Sequence, residues 1–292
     1  MLQSLMPRIG GSSHGESRLR MLRIVRRGDR HDPRDLTVSL RFEGDFGAAF
    51  REGHAEGLVP GEPLKNLVHA TAREHATGAI ETFGLVLARQ ILQALPRITR
   101  VRVEIAEQPW MRMDVGGKAQ GQSFIVSGPE QRTATITSNG RQTAVVSGIE
   151  QMVVMRTSGF MPPGGGDDLA DRLQPLVVGA LSARWTYRSG DVPFGPYRLG
   201  IRAAILDTFA LHAGRSIHYT LYAIADVVLA SHDELGDITL TMHDRPYRPA
   251  DMFRTGVDKP DELFVAMEQS FGVVEVTVER DADRITSPEP GP

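Results

Sequence analysis

The sequence predicts an α+β protein in which antiparallel sheets carry helices on one face. Three observations predict it. Short runs alternate apolar and polar side chains, the period of a half-buried strand. Longer stretches with apolar residues at helical spacing come in adjacent pairs. The order of strands, a helix pair and further strands occurs twice along the 292 residues. That length suits one large or two small domains with ample core.

Residues 1–17 are rich in Gly and Ser and are expected to be flexible. The first domain, 18–150, opens with Leu19–Arg26 and Leu36–Glu43, which alternate like an antiparallel pair joined by a turn over GDRHDPRD. Pro63–Glu74 and Ala79–Ala94 read as helices, the second with Ile80, Phe83, Leu87 and Ile91 on one stripe. Strands are predicted over Val101–Glu107, Gln122–Ser127, Thr133–Thr137 and Thr143–Val146. The second domain, 151–280, repeats the order: strands Val153–Thr157 and Leu181–Tyr187, helices Tyr197–His212 and Ile217–Ser231, strands Asp237–Met242 and Gly272–Glu279. The charged, proline-rich stretch 281–292 is expected to be a disordered tail.

Hydrophobic content of 41% and charged content of 24% are those of an ordinary globular chain. A formal charge of -3 offers no general attraction to nucleic acid or an anionic membrane. The run Arg18, Arg20, Arg23, Arg26, Arg27 and Arg30 alternates with apolar residues, so it reads as a strand with a solvated basic face. The absence of cysteine excludes disulfides and thiolate metal sites. Apolar runs fall short of the ~20 residues of a membrane span, and no apolar region follows the N-terminus, so the expected location is cytoplasmic. The glycines at 164–166 lack the context of a phosphate loop, and there is no G-x-S-x-G elbow. His31, His54, His69, His75, His212 and His232 lack metal-ligand spacing and read as surface or polar core residues.

One segment carries more information than the rest. LVPGEPLKNLVHATAREH, 58–75, resembles the V-P-T-D-T-x-K-N segment of urate oxidases (uricases), with Val59, Pro60, Lys65 and Asn66 in place. Further stretches fit the same family: RRGDRHDPRDLTVSLRFEGDF, IETFGLVLARQIL, PWMRMDVGGKAQGQSF, VVSGIEQMVVMRTSGF, SIHYTLYAIADVVL and DKPDELFVAMEQSFGVVEVTV. The resemblance runs from about His14 to Arg280. It implies two tandem tunnelling-fold (T-fold) domains per chain. It also implies an oligomeric barrel with active sites at subunit interfaces: a homo-oligomer, expected as a tetramer, or a hetero-oligomer with a paralogue. The family acts on a planar purine anion with O2 and uses neither metal nor organic cofactor.

Site residues transfer by position. The stacking phenylalanine of the family matches Phe160, which without the resemblance reads equally well as a core aromatic. The clamping arginine matches Arg172, the clamping glutamine His218, and the backbone that meets the ring edge Ile217. The family's proton-relay lysine falls on Glu16, its threonine on Gly61 with Glu62 following, its asparagine on Asp244 and its histidine on Pro246. Glycine and proline cannot ionise, so the usual lysine–threonine–histidine relay has no counterpart here.

The pocket has instead gained carboxylates. Glu16, Glu62, His218 and Asp244 fall at positions that converge in the family, with His14 and His243 adjacent to two of them. Such a set suits a divalent ion, Fe, Mn, Ni or Zn. Three other readings remain open: metal-free acid/base chemistry by the carboxylates, ordinary factor-independent urate oxidation, and a subunit without catalysis. The expected ligand is a small planar purine-like heterocycle, with O2 a possible co-substrate and no organic cofactor.

Overall fold

The structure, a computed structural model, describes residues 9, 11–55, 58–157, 176–212, 216–250, 262–267 and 272–280. It divides into two compact units, Met1–Ser147 and Gly148–Pro292. Among the described residues no helix is long and apolar enough to cross a membrane.

In the first unit, strands β1 (Ser13–Arg27) and β2 (Arg30–Gly44) form a long antiparallel hairpin. A short helix α1 (Gly47–Glu52) and the pair α2 (Gly61–His75) and α3 (Ile80–Ala94) follow. Then come β3 (Ile98–Gln108), a separate hairpin of β4 (Trp110–Val115) and β5 (Lys118–Val126), and β6 (Gln131–Ser138). The sheet order is β1-β2-β3-β6. Alternation on β2 and β3 turns Leu36, Val38, Phe42, Val101, Val103 and Ile105 toward the helices, where Phe83, Leu87 and Ile91 of α3 complete the core.

The division between the units falls inside β7 (Thr143–Arg156). In the second unit β7 and β8 (Val177–Tyr187) precede the helix pair α4 (Phe194–Leu211) and α5 (Ile217–Ser231). Strands β9 (Leu235–Asp244) and β12 (Val273–Glu279) follow, with a small hairpin of β10 (Tyr247–Pro249) and β11 (Phe264–Ala266) between them in the chain. The order β7-β8-β9-β12 repeats that of the first unit. Leu181, Ala183, Trp185, Ile238 and Leu240 are buried together with Ile201, Ile205, Leu221, Ile224 and Val228 of the helices.

A local device repeats as well. Arg18 on β1 and Gln151 on β7 are the two non-glycine residues with positive φ among those described, at 59° and 61°. Each N–H donates to a serine on the neighbouring strand: Arg18 to Ser39 Oγ at 3.1 Å, and Gln151 to Ser182 Oγ at 3.2 Å. In β1 this is a bulge between Glu16 and Leu19. An extra residue there moves the half-buried positions from His14 and Glu16 to Leu19, Met21, Arg23 and Val25.

The short elements α1, β4, β10 and β11 are not among those expected, and three further differences have a local reason. Ser13–Ser17 are strand, because β2 continues to Gly44 and supplies their partners. The turn after Arg27 is only Gly28-Asp29, with Gly28 at φ 59°. Pro33, which argues for a loop in sequence, is tolerated in β2 because pairing with β3 begins only at Asp35. Finally, Thr143–Val146 and Val153–Thr157 belong to one strand, β7, whose alternation is interrupted near Gln151. Arg18, Arg20, Arg26, Arg27 and Arg30 are exposed as the alternation requires, and Arg20 holds Asp35 at 2.9 Å.

Candidate functional site

The most specific feature of the first unit is the meeting of β1 with the head of α2. Glu16 pairs with Leu40 across the β1–β2 ladder, so its side chain shares the helix-covered face of the sheet. It is half-buried there. A Cβ built on Gly61, the first residue of α2, would lie 2.7 Å from Glu16 Oε1 and 3.8 Å from its Cδ. The carboxylate thus occupies the volume that a side chain at position 61 would need. Beside it, His14 Nε2 contacts the carbonyl of Val59 at 3.3 Å, and its ring meets Phe46 edge-on with centroids 6.2 Å apart. These contacts tie the strand to the segment entering α2.

Glu62, one residue on, behaves differently. Its side chain is 80% exposed and pairs with Lys65 one turn along, at 3.2 Å. Ser17, Ser39, Arg41, Arg102 and Glu104 line part of a cavity of about 510 Å³ that also borders His14 and Glu16. Gly15 lets the two strands close up there, since a Cβ on it would overlap the Leu40 carbonyl oxygen. Arg102 is engaged with Glu104 at 2.6 Å.

In the second unit Asp244 ends β9. Its N–H donates to the carbonyl of Gly272 at 2.8 Å. Together with Gln151, His243, Pro246, Tyr247 and Met267 it lines a cavity of about 320 Å³. Burial pushes the Asp244 carboxyl above its ordinary range, against the opposing pull of the Arg245 N–H. His218 is exposed in the first turn of α5, next to half-buried Ile217. The helix starts there because Ser216 caps it, its Oγ accepting from the Tyr219 N–H at 3.2 Å. Phe160 and Arg172, with the Gly/Pro stretch 162–166, lie outside the described residues.

Of the residues singled out in the sequence, Glu16 is brought against Gly61. Glu62 turns to Lys65, and Asp244 joins His243. Glu16 and Glu62 belong to the first unit, His218 and Asp244 to the second. Among the described residues no group of three or more His, Asp or Glu side chains is placed to hold a metal ion. Sequence reasoning missed the positive φ at Arg18 and Gln151 and the serines, Ser39 and Ser182, that accept from their N–H groups, since such a φ at Arg or Gln has no signature in composition. Arg41, Arg102 and Glu104 were legible in principle, as they alternate with the core residues of β2 and β3.

A hairpin, a helix pair and two further strands, present twice with matching sheet order, define a tandem T-fold protein. Comparison with known proteins narrows the class. Residues 13–137 and 145–277 match the sequence profile of the uricase family. Uricase from Arthrobacter globiformis is 28% identical over 284 residues, covering 96% of this chain and 92% of that protein. Its crystal structure aligns with a TM-score of 0.85 at 27% identity, over 97% of this chain and 98% of that one. Uricase from Danio rerio is 26% identical over 277 residues, with 91% and 93% coverage. The chain belongs to the uricase family.

Proposed function

We propose that this protein is a uricase-type oxidoreductase that oxidises or ring-opens a planar purine-like N-heterocycle, with carboxylates in place of the family's lysine and asparagine. The observation that carries the reading is the Glu16 carboxylate beside Gly61 at the head of α2. A carboxylate there can accept a proton from a ring N–H. Asp244, whose carboxyl burial favours the protonated form, can hold or return one. Oxidation removes two electrons and two protons from the ring, and O2 is the acceptor this reading requires. Phe160 would stack on the ring, while Arg172, His218 and the Ile217 backbone would hold its edge. The working assembly is an oligomer of this chain, a tetramer, or of this chain with a paralogue.

A metal-assisted form of the same reading takes Glu16, Glu62, His218 and Asp244 as donors for Fe, Mn, Ni or Zn, which would activate water or O2. Against it stand the pairing of exposed Glu62 with Lys65 and the absence, among the described residues, of three such side chains placed together. Carboxylates and imidazole are suitable donors for such ions.

The test combines two measurements on untagged, chelator-free protein. Loss of ring absorbance and O2 uptake are followed with urate and a panel of other purines, and metal content is read by elemental mass spectrometry. Turnover that falls at least ~100-fold in Glu16→Gln, with the oligomer intact, supports the reading. Near-stoichiometric metal that is lost in Glu16→Ala supports its metal-assisted form. Turnover unaffected by both Glu16→Gln and Asp244→Asn overturns the site assignment. No consumption of any heterocycle and no bound metal favours a subunit without catalysis.

A further inference from the structure

The contact between Glu16 and Gly61 says more about the ligand than that a carboxylate is present. Glu16 is half-buried, and no hydrogen bond or ion pair to its carboxylate occurs among the described residues. The nearest lysine on α2, Lys65, is paired with Glu62. A carboxylate with no cation beside it becomes costly once a bound ring covers it, unless that ring brings a hydrogen-bond donor. A neutral heterocycle that presents a ring N–H does so. A ring anion of the same shape can still offer an N–H from another ring nitrogen, but it brings a second negative charge close to the carboxylate.

Gly61 decides where that carboxylate sits. A methyl group at 61 would approach Glu16 Oε1 to 2.7 Å, far inside ordinary contact, so the carboxylate must move. The atom that yields is the end of a flexible side chain, not backbone. The α2 helix itself loses nothing from an alanine in its first turn and gains from its better helix propensity. The consequence of a side chain at 61 therefore falls on the position of Glu16 and not on the fold.

Resting on the function proposed above, we infer that Glu16 and Gly61 are a matched pair that selects neutral, N–H-bearing planar heterocycles over ring anions. Glu16 is the selecting group and Gly61 the positioning residue. Urate, a monoanion at neutral pH, is disfavoured relative to a purine such as hypoxanthine, which is neutral there.

Calorimetric titration of the intact oligomer with hypoxanthine and with urate, at one neutral pH, tests this. The wild type should favour hypoxanthine by at least ~10-fold. Glu16→Gln and Gly61→Ala should each bring the ratio of the two affinities toward one, and Gly61→Ala should melt at or above the wild-type temperature. A ratio that neither variant changes, with both purines still bound, overturns the matched pair and leaves the proposed function standing. A wild type that prefers urate also overturns it. A Gly61→Ala protein that melts well below wild type refutes the claim that only the Glu16 side chain yields. Failure of the wild type to bind any planar heterocycle overturns the proposed function, and this inference with it.

Discussion

Replacing Gly84 by alanine sets two known effects against each other, and the structure decides which prevails. Gly84 lies in α3 where the helix crosses β3 and β6. A Cβ there would sit 3.0 Å from Ile105 Cδ1 and 3.1 Å from Ile136 Cγ1, and would overlap Ile136 Cδ1. On an open helix surface the change to alanine stabilises by about 1 kcal/mol. Here Ile136 is 0% and Ile105 2% exposed, so neither side chain can swing into solvent. Overfilling a close-fitted core costs about 1–3 kcal/mol, and driving an isoleucine off its rotamer adds about 0.5–1.5 kcal/mol. The net expectation is a loss of roughly 1–2 kcal/mol. Ile136→Val removes the Cδ1 that is overlapped and by itself costs about 0.5–1.5 kcal/mol. The double variant should then be less destabilised than the sum of the two single changes by roughly 1 kcal/mol. Urea unfolding followed by far-UV circular dichroism, with midpoints compared at equal slope, measures all four corners of the cycle. A higher midpoint for Gly84→Ala, or strict additivity in the double variant, would refute the close approach of α3 to the sheet.

Asp244→Asn should stabilise the protein at neutral pH. Burial raises the folded-state carboxyl pKa, so the stability it contributes is present in acid and is lost as pH rises through the raised value. The variant's advantage in urea midpoint should therefore shrink toward zero as pH falls, and the opposite slope would contradict the burial. Ser147→Ala removes the hydroxyl that donates to Glu81 Oε1 at 2.6 Å, between side chains 1% and 0% exposed. The expected loss is roughly 1.5–3 kcal/mol in the same unfolding assay. Arg112 ties the β4–β5 hairpin down, donating to the carbonyls of Gly121 at 2.8 Å and His31 at 2.5 Å while its guanidinium lies 5.1 Å from the Phe124 ring centre. Arg112→Lys cannot span these partners, and hydrogen exchange across 110–126 should quicken roughly tenfold. Unchanged exchange there would show the hairpin to be held by other contacts.

How much could be read in advance depended on how local the signal was. The helices α2, α3, α4 and α5 each expose a stripe or run of apolar residues over several turns, and they fall within a few residues of where periodicity puts them. The strands β2 and β3 alternate over Leu36–Glu43 and Val101–Gln108, because one face is buried and the other is not. The β4 strand was not anticipated, since its side chains are mostly exposed and no burial imprints a pattern on it. At the site, the resemblance led to Glu16 and Gly61 as separate substitutions. Only the folded chain shows that the carboxylate of one takes the volume vacated by the other.

The sequence by itself determined the fold class and the family, because these rest on periodicities and motifs that survive in a single strand of text; the repeat is faint there and becomes plain only in the matching sheet orders. It also determined which groups are present: carboxylates at Glu16 and Asp244, no thiol, no ionisable side chain at Gly61 or Pro246. The tertiary structure decided which of them interact. Side chains distant in sequence meet only where bulge, register and helix start bring them together. Glu16 owes its place to the bulge before Leu19 and to the start of α2 at Gly61. Glu62, adjacent in sequence to that contact, is turned away by the 100° step of the helix and pairs with Lys65 in solvent.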